Sequence, residues 1–149
     1  MIEPDKVAKE AVTYFDSGYN CSESMLLAFS KALGIECTAF PMLATPFGAG
    51  IGRLCHECGV LTGGILAVGL KYGRSSPKDA ENRDKSYAVA RSYYDGFQKR
   101  FGSVKCIEIQ GTDLLNQEEA QKKAKERHTL CDKVVEEGAR MLARLFSEK

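Results

Sequence analysis

The sequence lacks an excess of charge of either sign. Lys and Arg number 21 against 20 Asp and Glu, a formal net charge of +1, which leaves no electrostatic footprint for nucleic acid or an anionic membrane. The only basic doublets, Lys99-Arg100 and Lys122-Lys123, read as solvated helix faces. A long apolar run is missing too. The longest charge-free apolar stretch, residues 58–70, stops at Lys71, well short of the roughly 20 residues a membrane span needs. Residues 1–10 are charged and lack the apolar region of a secretory signal, which points to the reducing cytoplasm. There is no internal repeat, low-complexity tract or long charged linker. What remains, 149 residues with 44% hydrophobic and 28% charged side chains, is the balance of a folded chain with one core, so a single domain over residues 1–149 is expected.

Helical periodicity runs through nearly all of it. Val7, Ala8, Ala11, Val12 and Phe15 recur at helical spacing before Gly18 breaks the pattern. A second helix opens at "NCSESMLLAFSKALG", with Asn20 and Glu23 set as a capping box and Gly34 as the stop. Residues 35–55 carry Pro41, Pro46, Gly48, Gly50 and Gly52, a loop composition with room for one helical turn around Met42. A third helix is predicted over residues 58–72, with Gly73 after it. Its Gly59, Gly63 and Ala67 recur every four residues, a flat face for another helix of the chain or for a second copy in a homodimer. Ser76-Pro77 opens a fourth, striped by Tyr87, Ala90, Tyr94, Phe97 and Phe101 and ending at Gly102. "SVKCIEIQG" fits a helical turn or a strand equally well. A last helix spans residues 116–147. The expected fold is all-α, a single bundle of about five helices with a Gly/Pro-rich loop before the third.

Six cysteines, at positions 21, 37, 55, 58, 106 and 131, stand out against that background. In a reducing compartment they suggest metal binding or redox chemistry rather than a disulfide scaffold. Cys21 and Cys58 each open a helix, where unsatisfied N–H groups and the helix dipole lower a thiol pKa. Cys131 lies on the apolar stripe of the last helix, and Cys106 follows the Gly102-Ser103 turn. Four cysteines on four elements can converge in a bundle, although a neutral cysteine is also a common small core residue. Cys55-His56-Glu57-Cys58 is a lone C-x-x-C. A zinc knuckle brings a second close pair, a thioredoxin-type motif needs βαβ context, and "GAGIGR" has neither the lysine nor the strand of a phosphate loop. His128, three residues before Cys131, reads as solvent-facing ahead of a ligand. His56 does too, and Cys37 is an isolated loop thiol.

The run "CGVLTGG", preceded by "FGAGIGR" and followed by "AVGLKYG", resembles the C-G-A-x-x-G signature of the redox-active C_GCAxxG_C_C family, with Val60 in place of the motif's alanine. The resemblance covers nearly the whole chain. It matches the family's four cysteines to Cys21, Cys58, Cys106 and Cys131 and leaves Cys37, Cys55 and His56 outside the pattern. It implies a helical redox-type domain associated with an iron–sulfur site, and the leading reading makes those four cysteines the cofactor and metal ligands, with Cys55 and His56 as extra ligands only where the site departs from the family. The leading function is electron transfer or redox sensing through a partner protein. One alternative is a thiol–disulfide oxidoreductase using Cys21 with Cys58, or Cys55 with Cys58. The other is a helical interaction protein held by zinc or disulfides, since zinc accepts four thiolates equally well.

Overall fold

The structure, a computed structural model, describes residues 1–148. It is helical, with no strand among the described residues, and eight helices follow in order. They are α1 (Pro4–Asp16), α2 (Cys21–Leu33), α3 (Gly48–Ile51), α4 (Gly59–Tyr72), α5 (Ala80–Phe101), α6 (Cys106–Gln110), α7 (Gln117–Lys122) and α8 (Ala124–Ser147), with a 3-10 turn at Met42–Phe47 before α3. The expectation of about five helices is therefore corrected. Two of the extra three are 4 and 5 residues long, too short for a 3.6-residue period to register in an apolar pattern, and the third, α7, comes from a break in the predicted last helix.

Local chemistry explains the long helices. Asn20 accepts from the Glu23 N–H while the Glu23 carboxylate accepts from the Asn20 N–H, and left-handed Gly34 ends α2. Asn20 also donates to Thr45 O, Thr45 donates to Glu23, and buried Ser22 donates to Ala44 O. The 3-10 turn is thereby tied across the start of α2. One predicted start moves and one predicted helix divides. The fourth helix begins at Ala80, because Asp79 rather than the Ser76-Pro77 turn supplies the cap. The last breaks at Lys123 into α7 and α8, with Asn116 capping the first piece. Gly73 is extended rather than left-handed.

Packing joins α1 to α8 and α2 to α4, and lays α5 across α4 and α8. Met25, Phe29, Leu61, Val68, Phe97, Val135 and Leu142 are buried at the centre. Ala67, Gly59 and Gly63 are buried as well, so the small-residue face of α4 is occupied within the chain. A Cβ on Gly63 would lie 2.6 Å from Ser22 O on α2. The expected α5 stripe holds at Ala90, Phe97 and Phe101 but not at its tyrosines. Tyr93 is fully buried, whereas Tyr94 and Tyr87 are exposed. Gly64 leaves room for the Tyr93 ring, and its hydroxyl lies 3.2 Å from both Val60 O and Gly138 O. No described helix is long and apolar enough to cross a membrane.

Candidate thiol site

The glycine loop ahead of α4 turns the wrong way for L residues. Ala49, Gly50, Ile51, Gly52 and Arg53 all have φ between 57 and 70°, one turn of left-handed backbone that costs about 1–2 kcal/mol at each non-glycine position. Hydrogen bonds hold it: the Gly52 N–H donates to Pro46 O at 3.0 Å and the His56 N–H to Gly50 O at 2.9 Å. Gly50 has to be glycine, because a Cβ there would lie 2.6 Å from Cys55 Cα and His56 N. This turn sets Ala49 over the start of α2 and delivers residues 55–58 to α6. There Lys105 bridges Glu57 antiparallel before Cys106 starts the helix, so "SVKCIEIQG" is in part strand-like and in part helical.

Cys21, Cys58, Cys106 and Cys131 line one cavity of about 170 Å³. They come from the first turn of α2, the N-cap of α4, the first turn of α6 and the middle of α8. Cys58 and Cys106 are buried, while Cys21 and Cys131 are half-buried. Phe15, Ala49, Val60, Ile109, Leu114 and Val134 complete an apolar wall, and Arg127 supplies its one charged side chain. The lining contains neither carboxylate nor imidazole. Gly59 is packed so closely on Cys21 that a Cβ would strike its sulfur.

Burial controls the protonation of these thiols. It pushes Cys21 up against opposing backbone N–H groups, Ala49 first and then Ser22. Cys58 rises well above the ordinary thiol range through burial and then the neighbouring Cys21 sulfur, partly offset by the Val60 N–H. Burial lifts Cys106 to about 12, helped by Cys55, and Cys131 to about 12, helped by Cys21 and opposed by Arg127. The helix-start argument for acidic thiols at Cys21 and Cys58 is thus corrected: the N–H groups are present, but desolvation outweighs them. Four neutral thiols around a cavity are a soft donor set, ready to lose protons to a metal group whose charge compensates the buried thiolates.

The remaining sequence candidates fall elsewhere. Cys37 is exposed, and the exposed His56 touches the site only through its backbone, accepting from Cys106 N–H at 2.6 Å. Cys55 is buried outside the cavity lining, packed with Cys106 and Leu114. His128 is exposed, as expected, and is also held by neighbours. Its Nε2 is 2.8 Å from Asp16 and 3.7 Å from Asp132, and its ring stacks on Phe15 at 4.5 Å. Two neighbours went unrecognised in the sequence. Gln110 and Arg127 each lie four residues from a cavity cysteine, one after Cys106 and one before Cys131, and that helical spacing was the available signal.

Residues 19–145, all four cavity cysteines included, match the family described as "Putative redox-active protein (C_GCAxxG_C_C)". The chain belongs to this redox-active family. A relative from Archaeoglobus fulgidus, described as an uncharacterized protein, is 27% identical over 130 residues, covering 82% of this chain and 86% of its own length. No solved structure matches the chain.

Proposed function

We propose that Cys21, Cys58, Cys106 and Cys131 hold an iron–sulfur cluster, and that the protein carries electrons or senses redox state with a partner protein in the reducing cytoplasm. The observation that carries this reading is the cavity itself: four thiols from four helices, and no other ligand type, face about 170 Å³ of space. The spacing favours a multi-iron group over a single ion. Among the described residues no three cysteine sulfurs lie mutually within 4.8 Å. A tetrahedral zinc with bonds near 2.3 Å would draw them to about 3.8 Å, whereas a cluster spreads its cysteines over several irons.

When bound, such a cluster gives and takes electrons. The chain's own residues do the rest. The backbone N–H groups of Ala49 and Ser22 beside Cys21, and of Val60 beside Cys58, favour negative charge on those sulfurs, which raises the reduction potential. Phe15, Ile109 and Val134 exclude water, and Arg127 offsets charge at Cys131. The thiol–disulfide alternative fits less well, because an attacking cysteine needs a depressed pKa and burial moves all four the other way.

Anaerobic purification with iron and acid-labile sulfide analysis and a visible spectrum tests the reading. A brown protein with stoichiometric iron and sulfide supports it. A colourless protein with one zinc per chain, or no metal after anaerobic reconstitution, overturns it.

A further inference from the structure

A second concavity lies against the thiol site. Ala49, Leu114 and Arg127 line both the cysteine cavity and an open groove of about 600 Å³, inside the range of about 300–1,000 Å³ that small-molecule sites occupy. The charged side chains of the groove are Arg53 and Arg127, and no carboxylate lines it. The two arginines come from distant segments. Arg53 ends the left-handed turn with its own φ at 70°, a conformation that glycine adopts freely and arginine only at a cost. Arg127 stands in the first turn of α8. Its Nη1 donates to Ala120 O at 2.9 Å, which ties the guanidinium across the break between α7 and α8 and leaves its remaining donors for a ligand. Among the described residues neither arginine takes part in an ion pair. The fold thus brings two cations to one groove, against their mutual repulsion, and gives them no anion of its own.

The rest of the lining is of two kinds. Leu114, Leu115 and Ala124 are apolar, and Leu115 is 61% exposed. Gln117 and Gln121 stand one turn apart on α7, both exposed, and each amide can donate and accept. A monocarboxylate would balance only one of the two cations. A phosphomonoester carries a charge of about −1.5 to −2 at neutral pH and three acceptor oxygens, and the guanidinium fork matches phosphate oxygens in pairs. We propose that this groove binds a small organic phosphomonoester, with Arg53 and Arg127 on the phosphate. The body of the ligand lies over Leu114 and Leu115, with a hydrogen-bonding edge at Gln117 and Gln121. Bound there, it rests against the wall of Ala49 and Leu114 that the groove shares with the thiol cavity. No cysteine lines the groove, so binding needs no metal group.

Calorimetric titration of the metal-free full-length protein at low salt tests this with AMP, adenosine and inorganic phosphate. AMP joins a phosphomonoester to a flat body with a hydrogen-bonding edge; each of the other probes lacks one half. AMP is expected to bind, with adenosine and inorganic phosphate each at least about tenfold weaker. Arg53→Gln and Arg127→Gln should each weaken AMP about tenfold or more, the loss of one charge-assisted contact. Arg91→Gln, an exposed arginine outside the groove, should leave it unchanged. Arg53 is exposed and unpaired among the described residues, so Arg53→Gln decides alone should Arg127→Gln fail to fold. No AMP binding at millimolar concentration, adenosine or phosphate as tight as AMP, or unchanged affinity in Arg53→Gln overturns the proposal. Equal weakening in Arg91→Gln overturns it too, as an adventitious ion only. Iron and sulfide loading is a separate readout. AMP binding without loading refutes only the cluster, and normal loading without AMP binding refutes only the groove.

Discussion

Two glycines on one helix give opposite expectations, and the difference is the site. Gly59 begins α4 where an added Cβ would strike Cys21 Sγ, with Ser22 N at 3.2 Å and Phe47 O at 3.3 Å closing the remaining directions. The sulfur would have to move into the cavity, because the two backbone atoms beside it cannot yield cheaply. Overpacking of this kind costs about 1–3 kcal/mol, which for a chain of this length lowers Tm by roughly 2–10 °C. Gly69, ten residues on, is exposed with nothing within 4 Å of an added Cβ. Alanine there removes only glycine's unfavourable helix entropy, a gain of about 0.5–1 kcal/mol. Thermal melts of metal-free Gly59→Ala and Gly69→Ala should therefore move in opposite directions. Equal shifts, or a Gly59→Ala variant as stable as the parent, would refute the close packing of α4 on Cys21.

Three further outcomes are expected. Tyr93→Phe removes the hydroxyl held between Val60 O and Gly138 O and should lower stability by about 1 kcal/mol in urea unfolding; an unchanged midpoint at unchanged slope would contradict that bonding. Iodoacetamide at neutral pH should modify exposed Cys37 well before Cys21, Cys58, Cys106 and Cys131, as followed by peptide mass spectrometry, and faster labelling of a cavity thiol would revive the thiol–disulfide reading. Burial first, then Asp16, pushes the Asp132 carboxyl up to about 6, while His128, with Asp132, holds Asp16 below its usual range. The folded chain thus holds the Asp132 proton more tightly than the unfolded chain, whose aspartates titrate near about 3.9. That contribution is full below about pH 4 and lost as pH rises through about 6, so Asp132→Asn should gain in Tm over the parent on going from pH 4 to pH 7. A gain that shrinks over that range would show the sign to be wrong.

Features set by local chemistry were legible in the sequence. The Asn20–Glu23 box, the Gly34 stop and the long helices depend on neighbours within a turn or two, and periodicity reports those directly. Burial phase was harder, since Tyr93 and Tyr94 both fit a helical stripe. The choice falls to Gly64 and Gly138, which make room for Tyr93 from α4 and α8. The left-handed turn at residues 49–53 was hidden because Ala49, Ile51 and Arg53 give no hint of positive φ. The C-x-x-C spelling misleads for the same reason. Cys55 and Cys58 are three residues apart, yet the turn and the Glu57–Lys105 bridge send Cys55 to Cys106 and Cys58 into the cavity. Likewise, the contact of His128 with Asp16 spans 112 positions, and no local pattern encodes it.

The most direct test of the four-thiol cluster is iron and sulfide content per chain after anaerobic reconstitution of single Cys→Ser variants at positions 21, 58, 106 and 131, with Cys37→Ser as the control. The expected result is stoichiometric loading in the parent and in Cys37→Ser, and severe loss in each of the four. Full loading in Cys58→Ser or Cys131→Ser, or equal loss in Cys37→Ser, would contradict a cluster held by this cavity.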